Sequence, residues 1–297
     1  MAQWTPRRIN RAIELLEMDQ ALYYDGPHTG HVLTYEQGRK DAKTWADYIN
    51  VGMEHGAFDM TGLEAYMRGL ADGGPTNSGH RCPTVIVEAP VNGIDGQNVA
   101  FNAWQFRQIL ARGAHGILLC QAESADAVRE FVRACRFPHH KNGTDKVGTG
   151  SRGRGSEPTA APIWGIDQLD YFERCEPWPL SPKGELLLGV KIESPPGVNH
   201  CEEILSVPGL GFAELGPGDL GLSLGYTTLQ RRPYPPEMEA ARAKVLAACK
   251  KNKLAYLEGQ RPDTITAALD EGVRIISGHS LEVAKLGRAH QKRTMPV

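Results

Sequence analysis

Short apolar or β-branched runs alternate with longer stretches of helical period along most of the chain. The runs that read as strands are QALYYDG (20–26), DYINVGME (47–54), PTVIVEAP (83–90), GILLCQA (116–122), ELLLGVKIES (185–194), GFAELGPGD (211–219), LAYLEG (254–259) and VRIISG (273–278). Helical patterns such as NAWQFRQILARG, ADAVREFVRAC and DTITAALDEG lie between them, and several stop at a glycine just before the next run. Strands alternating with helices predict an α/β fold with a parallel sheet and right-handed crossovers. Eight such strands favour a closed (β/α)8 barrel, one domain over residues 1–297, above an open doubly wound sheet.

Residues 137–184 break this rhythm with a long insertion rich in Gly, Pro and basic residues. Connections of that length are either functional or disordered. The first half reads as a mobile excursion or as a loop whose SRGRGS tract clamps a phosphate or carboxylate. The second half, WGIDQLDYFERC, reads as a helix.

Composition narrows the possibilities. Of 297 residues, 41% are hydrophobic, enough for a sizeable core, and the net charge of −2 comes from scattered acids and bases. That gives no electrostatic case for nucleic acid or an anionic membrane. No apolar run approaches the roughly 18 residues of a membrane span, and the amphipathic first residues lack a signal-peptide pattern. The six cysteines are dispersed and form no CxxC. They read as reduced thiols of a cytoplasmic protein without structural zinc.

In a barrel the chemistry sits at the C-terminal ends of the strands. Those ends carry Asp25, Glu54 with His55, Glu88, Gln121, Glu193, Asp219, Glu258 and His279. Buried unpaired carboxylates are costly, and converging ones suit a hard divalent cation, Mg²⁺ or Mn²⁺. Glu193 and Asp219 end neighbouring strands and form the best pair. Asp219 alone is also readable as a helix cap, but Glu193 is followed by SPPG, which already supplies a Ser cap and an N1 proline. His55 is the natural base near neutral pH, although a single histidine is more often structural. His139 and His140, in the insertion, are expected at the surface. No cysteine has a paired base nearby, so no nucleophilic thiol is expected.

The run VKIESPPGVNHCEEILSVPGLGFAELGPGDLGLSLGY (190–226) resembles the HpcH/HpaI aldolase and citrate lyase family of metal-dependent pyruvate aldolases, in which V-E-S or I-E-T precedes G-P-x-D-L-x-x-S-L-G. Weaker similarity extends over GMEHGAFDMTGLEAYMRGL and FRQILARGAHGILLCQAESADAVREFVRACRFP. The resemblance implies a (β/α)8 barrel assembled as a hexamer or trimer of dimers. It makes Glu193 and Asp219 the metal carboxylates, and Gly216, Pro217 and Gly218 a close backbone bed for a pyruvate carboxylate. It makes His55 the base with Glu54 beside it, and places Gln121 and Lys191 near the metal. The implied reaction is retro-aldol cleavage of a 4-hydroxy-2-oxo acid or related β-hydroxy carbonyl compound, with the metal as Lewis acid. Other readings are a 2-oxo diacid decarboxylase, an acyl-CoA lyase, or a non-catalytic ligand-binding homologue.

Two departures stand out. Where the family pattern reads V-R-x-P, this chain has VIVEAPVNG, so Glu88 or Ala89 takes the place of a substrate-binding arginine. Where the family often reads D-G-E-H, this chain has VGMEH, with Gly52 at the aspartate position. Losing a preorganised cation weakens enolate stabilisation. Arg152 and Arg154 of the insertion are the expected replacements.

Overall fold

The structure is a computed structural model that describes residues 4–297. Eight parallel strands close into a barrel: β1 (Leu22–Asp25), β2 (Tyr48–Gly52), β3 (Thr84–Ala89), β4 (Gly116–Leu119), β5 (Leu186–Ile192), β6 (Phe212–Leu215), β7 (Ala255–Gly259) and β8 (Val273–Ser277). Each pairs with the next in sequence, and Leu22 opposite Ile275 joins β1 to β8 and closes the ring. A two-residue strand, Pro177–Trp178, adds to the edge of β5.

The strands are apolar throughout because both faces are buried. Leu22, Tyr24, Tyr48, Ile86, Leu118, Leu187, Phe212, Leu257 and Ile275 fill the barrel interior. Their alternate neighbours, Ile49, Val51, Val85, Val87, Ile117, Leu188 and Val190 among them, pack outward against the helices. The period-two register then carries Asn50, Glu88, Lys191, Glu214 and Glu193 inward, nearer the C-terminal ends. There the interior turns polar.

The first helix, α1 (Arg11–Glu17), closes the N-terminal end of the barrel by placing Ala12, Ile13 and Leu15 on the interior cluster. The outer layer comprises α2 (Tyr35–Asp41), α3 (Met60–Gly73), α4 (Gly96–Ala111), α5 (Ala125–Cys135), α6 (Thr144–Val147), α7 (Glu157–Trp164) and α8 (Gln168–Arg174). It continues with α9 (Pro195–Leu205), α10 (Pro217–Ser223), α11 (Pro236–Asn252), α12 (Ile265–Glu271) and α13 (Leu281–His290). Ser194 caps α9 by accepting from the Gly197 N–H, and Pro195 follows, as SPPG predicts. At the N-terminal end the buried Asp47 gathers Arg293 (2.8 Å), Arg288 (3.2 Å) and Arg11 (3.6 Å), tying α1, α13 and the C-terminal segment to the barrel.

The insertion is folded against the barrel rather than a free excursion. Val147, Ala160, Ile163, Trp164 and Tyr171 are buried in the outer core. WGIDQLDYFERC is not one helix: Gly165, in the left-handed region at φ 73°, ends α7, and Asp167 caps α8. Arg152 holds this unit together. Only 2% exposed, it donates to Ser156 Oγ (2.9 Å) and Tyr171 Oη (2.7 Å), contacts Cys175 Sγ (2.7 Å), and lies over the Phe137 ring. Arg154 is exposed and lies over Phe172. Neither arginine reaches the strand-end cavity, which corrects the expectation that they replace the family cation. All six cysteines are buried and unpaired. Among the described residues, no helix is long and apolar enough to cross a membrane.

Candidate active site

A cavity of about 600 Å³ opens at the C-terminal ends of the strands. Its lining includes His28, His55, Lys191, Glu193, Glu214 and the turn from Gly216 to Asp219, together with Arg231, Arg232 and Arg261. The (β/α)8 architecture therefore brings Glu193, Asp219, His55 and Lys191 together from strands far apart in sequence.

Glu193 follows β5 and is nearly buried. Its Oε1 accepts the Gln121 N–H at 2.7 Å, so Gln121 contributes its backbone; its side chain is not part of the cavity wall. Gln121 presents that N–H from the left-handed region (φ 48°). Glu193 Oε2 lies 2.2 Å from where a Cβ on Gly216 would sit. Position 216 is thus glycine because the carboxylate fills its side-chain space, a sharper reason than the expected approach of substrate. At Gly218 the nearest atom to an added Cβ, on Leu229, is 3.9 Å away, so there the backbone is open to the cavity. Asp219 lies in the first turn of α10, after Pro217.

Glu54 links the two metal candidates. Its carboxylate clusters with His55 and Asp219 on one side and with Cys120 and Glu193 on the other, ligand atoms lying within 4.8 Å of one another in each group. Burial pushes the Cys120 thiol well above its ordinary range, so it stays protonated and is no ligand for a hard cation. Lys191 Nζ sits 2.8 Å from Glu54 Oε2 and 3.8 Å from Glu88 Oε2. Burial pulls Lys191 down, but the surrounding acids outweigh it and keep it an ammonium.

The site is short of positive charge. Burial, reinforced by Glu54 and Glu214 and opposed by Lys191, pushes Glu193 up to about 8. Burial likewise pushes Glu214 up to about 7. Glu54 Oε1, Glu88 Oε2 and Glu214 Oε2 are buried with no hydrogen-bond partner. Oxygen donors in excess of cations are what a Mg²⁺- or Mn²⁺-type ion satisfies, so the acids gathered around Glu54, with Asp219 in one group and Glu193 in the other, fit a divalent cation.

Glu88 does point inward where an arginine was expected. Its Oε1 accepts from His28 Nδ1 at 2.6 Å and from Asn50 Nδ2 at 2.9 Å. Burial acts to raise Glu88, but His28 and Lys191 overcome it and hold the carboxyl below its ordinary value. Of the remaining strand-end candidates, Glu258 lines the cavity but is bound by Arg242 and by Gln260 (2.7 Å), while His279 contacts Asp25 at 3.1 Å across the β8–β1 seam. His140 is not at the surface as expected: its Nε2 bonds the Phe172 carbonyl at 2.8 Å, and its side chain is 12% exposed.

The sequence reading missed His28, Glu214 and the cavity arginines. A buried acid on a strand, Glu88, was the available signal for His28, since such a group demands a partner.

The model of the family described as HpcH/HpaI aldolase/citrate lyase matches residues 95–277, more than half of the chain. The chain belongs to this family. It is 25% identical over 232 residues to a hydroxypyruvate/pyruvate aldolase of Roseobacter denitrificans, covering 78% of this chain and 76% of that protein. Its fold matches an HpcH/HpaI family protein from Burkholderia cenocepacia with a TM-score of 0.69 at 24% identity, over 95% and 96% of the two chains. It also matches, at 0.51 and 13% identity over 92% and 97%, a citrate lyase beta subunit of M. tuberculosis solved with oxaloacetate and magnesium. As an HpcH/HpaI member this chain is a carbon–carbon lyase of the aldolase type.

Proposed function

We propose that this HpcH/HpaI member performs retro-aldol cleavage of a 4-hydroxy-2-oxo acid, releasing a pyruvate-type 2-oxo acid and an aldehyde. The observation that carries this reading is the convergence of Glu193, Asp219 and His55 on one cavity, with Glu54 within ligand reach of all three. Glu193 and Asp219 hold the divalent cation, Mg²⁺ or Mn²⁺, which when bound supplies Lewis acidity at the 2-oxo acid oxygens. The open backbone at Gly218 and the first-turn N–H groups of α10, which lack helical partners, suit the substrate carboxylate. His55, 3.6 Å from Glu54 and half-exposed at the mouth, removes the hydroxyl proton as the carbon–carbon bond breaks. Lys191 supplies the positive charge that the arginine of the family pattern would have provided, delivered from β5 instead of β3.

The cavity arginines add a substrate preference. Arg232 and Arg261 have acidic neighbours, whereas Arg231 is exposed and has no carboxylate partner among the described residues. Three guanidiniums in the lining of the same cavity suit a substrate whose departing half carries its own carboxylate or phosphate. Exposed Leu222, Leu224 and Leu229, the last of them lining the cavity, suit burial in a homo-oligomer. The buried, unpaired cysteines suit the cytoplasm.

Titration calorimetry with Mg²⁺ and oxalate, a mimic of the 2-oxo acid end, tests the core of the proposal. Oxalate should bind only with metal present, and Asp219→Ala should lose both metal and oxalate. Full turnover by that variant in the presence of a chelator would sink the reading.

A further inference from the structure

The two departures from the family pattern share one cause. Residues 26–30 descend from β1 and lie across the end of β2. They come so close that a Cβ on Gly52 would stand 2.1 Å from the His28 carbonyl oxygen and 2.6 Å from the His28 Cα. A Cβ on Gly26, which takes φ 112°, would stand 2.0 Å from the Asn50 oxygen. No aspartate fits at position 52 while this loop is in place. The loop delivers His28, whose Nδ1 meets Glu88 at 2.6 Å. The glycine at the aspartate position makes room for the histidine, and the glutamate at the arginine position orients it.

A histidine that merely satisfied Glu88 would be covered, and Asn50 already donates to the same carboxylate oxygen. His28 is instead 40% exposed on its side chain and lines the cavity it shares with Glu193 and Asp219. Nδ1 is committed to Glu88 by the short bond, while Nε2 has only the longer 3.3 Å contact with the Tyr24 hydroxyl, the partner it must exchange for a substrate atom to do chemistry. The groups facing His28 are Glu88, Glu214, Tyr24 and Lys191. The Glu88 hydrogen bond raises its pKa above the ordinary histidine value, against burial, so it is charged over more of the neutral range.

We propose that His28 is a second catalytic acid–base group of this site, distinct from His55, which delivers a proton to C3 of the 2-oxo acid fragment once the carbon–carbon bond has broken. The inference rests on the lyase reading above. In that reaction the C3–C4 bond breaks, its electron pair stays with C3, and the hydroxyl proton leaves with His55. His28 then gives its Nε2 proton to C3, forming the new C–H bond, and the neutral ring reloads from solvent. In reverse, the same nitrogen takes a proton from the methyl group of pyruvate.

The test is exchange of pyruvate methyl protons for deuterium, followed by proton NMR in D₂O with the Mg²⁺-loaded enzyme. Wild type exchanges; His28→Asn lowers the rate about a hundredfold or more, the range lost with a positioned acid or base. Glu88→Gln lowers it less, and in histidine side-chain ¹⁵N spectra it moves the His28 titration midpoint down. Exchange at the wild-type rate in His28→Asn, or a His28 midpoint unmoved by Glu88→Gln, overturns the assignment. If wild type shows no metal-dependent exchange, the lyase reading fails first and His28 falls with it, an outcome distinct from a silent His28 variant.

Discussion

A methyl group added at position 216 has nowhere to go, because the Glu193 carboxylate already occupies that space. Gly216→Ala therefore displaces the Glu193 carboxylate, the metal ligand of the proposed reaction, without touching its chemistry. Mg²⁺ affinity should fall about 10- to 100-fold, the range for losing the groups that orient a ligand, as read by calorimetry. Lys191→Met leaves Glu54 and Glu88 without their shared ammonium. Its kcat/KM should drop about a hundredfold, and wild-type activity in that variant would show that the charge is dispensable. At this scale the cavity acids Glu193 and Asp219 were legible as strand-end acids because they sit in a continuous motif with its own turn chemistry. His28 was not, because its partner Glu88 lies 60 residues away and nothing local in DGPHTGH marks the pair. Gly52 and Glu88 were visible as anomalies, but only three-dimensional proximity shows that both belong to His28.

The elements tell a similar story at longer range. All eight barrel strands were readable, since a strand buried on both faces declares itself as an unbroken apolar run. Their C-terminal ends were read too long, because the residues that carry the chemistry continue the chain past the last ladder bond, as Glu193 and Gly218 do. The insertion was misread because its composition is that of a free loop, while its order comes from one arginine and a few apolar anchors. Arg152→Leu should accordingly leave kcat/KM unchanged while costing about 2–3 kcal/mol of stability, because the Tyr171 and Ser156 hydroxyls lose a buried partner. Denaturant unfolding alongside steady-state kinetics separates the two; a loss of kcat/KM at unchanged stability would return Arg152 to the site.

At the scale of the whole molecule, a histidine at the N-terminal end of the barrel makes one contribution to how stability responds to acid. His115 is buried, stacks on Trp164, and accepts the Val85 N–H at Nδ1, so it is neutral in the fold. Burial, with a smaller contribution from His80, pushes its pKa down to about 3. The unfolded chain takes up a proton near the ordinary value of about 6.5, and the folded one does not. This stabilisation is complete above about 6.5 and is lost as the pH falls toward 3, with a limiting slope of about 1.4 kcal/mol per pH unit for one group. Because the raised acids Glu193 and Glu214 act with the opposite sign over this range, the readout is the difference between variants. From pH 7 to 4 wild type should lose Tm relative to His115→Phe, and an identical pH dependence in the two would remove His115 from the account. Asp47→Asn strands three arginines on α1, α13 and the C-terminal segment. It should cost about 3–5 kcal/mol, as breaking a buried ion pair from one side does, read as a lower denaturant midpoint.

The loop laid across β2 also constrains how this site was inherited. Gly26, His28, Gly52 and Glu88 form a set in which no member changes profitably alone. An aspartate at 52 collides with the loop, and an arginine at 88 sets a cation against His28 and Lys191. Relatives should therefore fall into two groups, those with glycine, histidine and glutamate together and those with the aspartate and arginine, and few sequences should mix them. Sorting members by these positions would separate two ways of handling the same proton before any substrate is known.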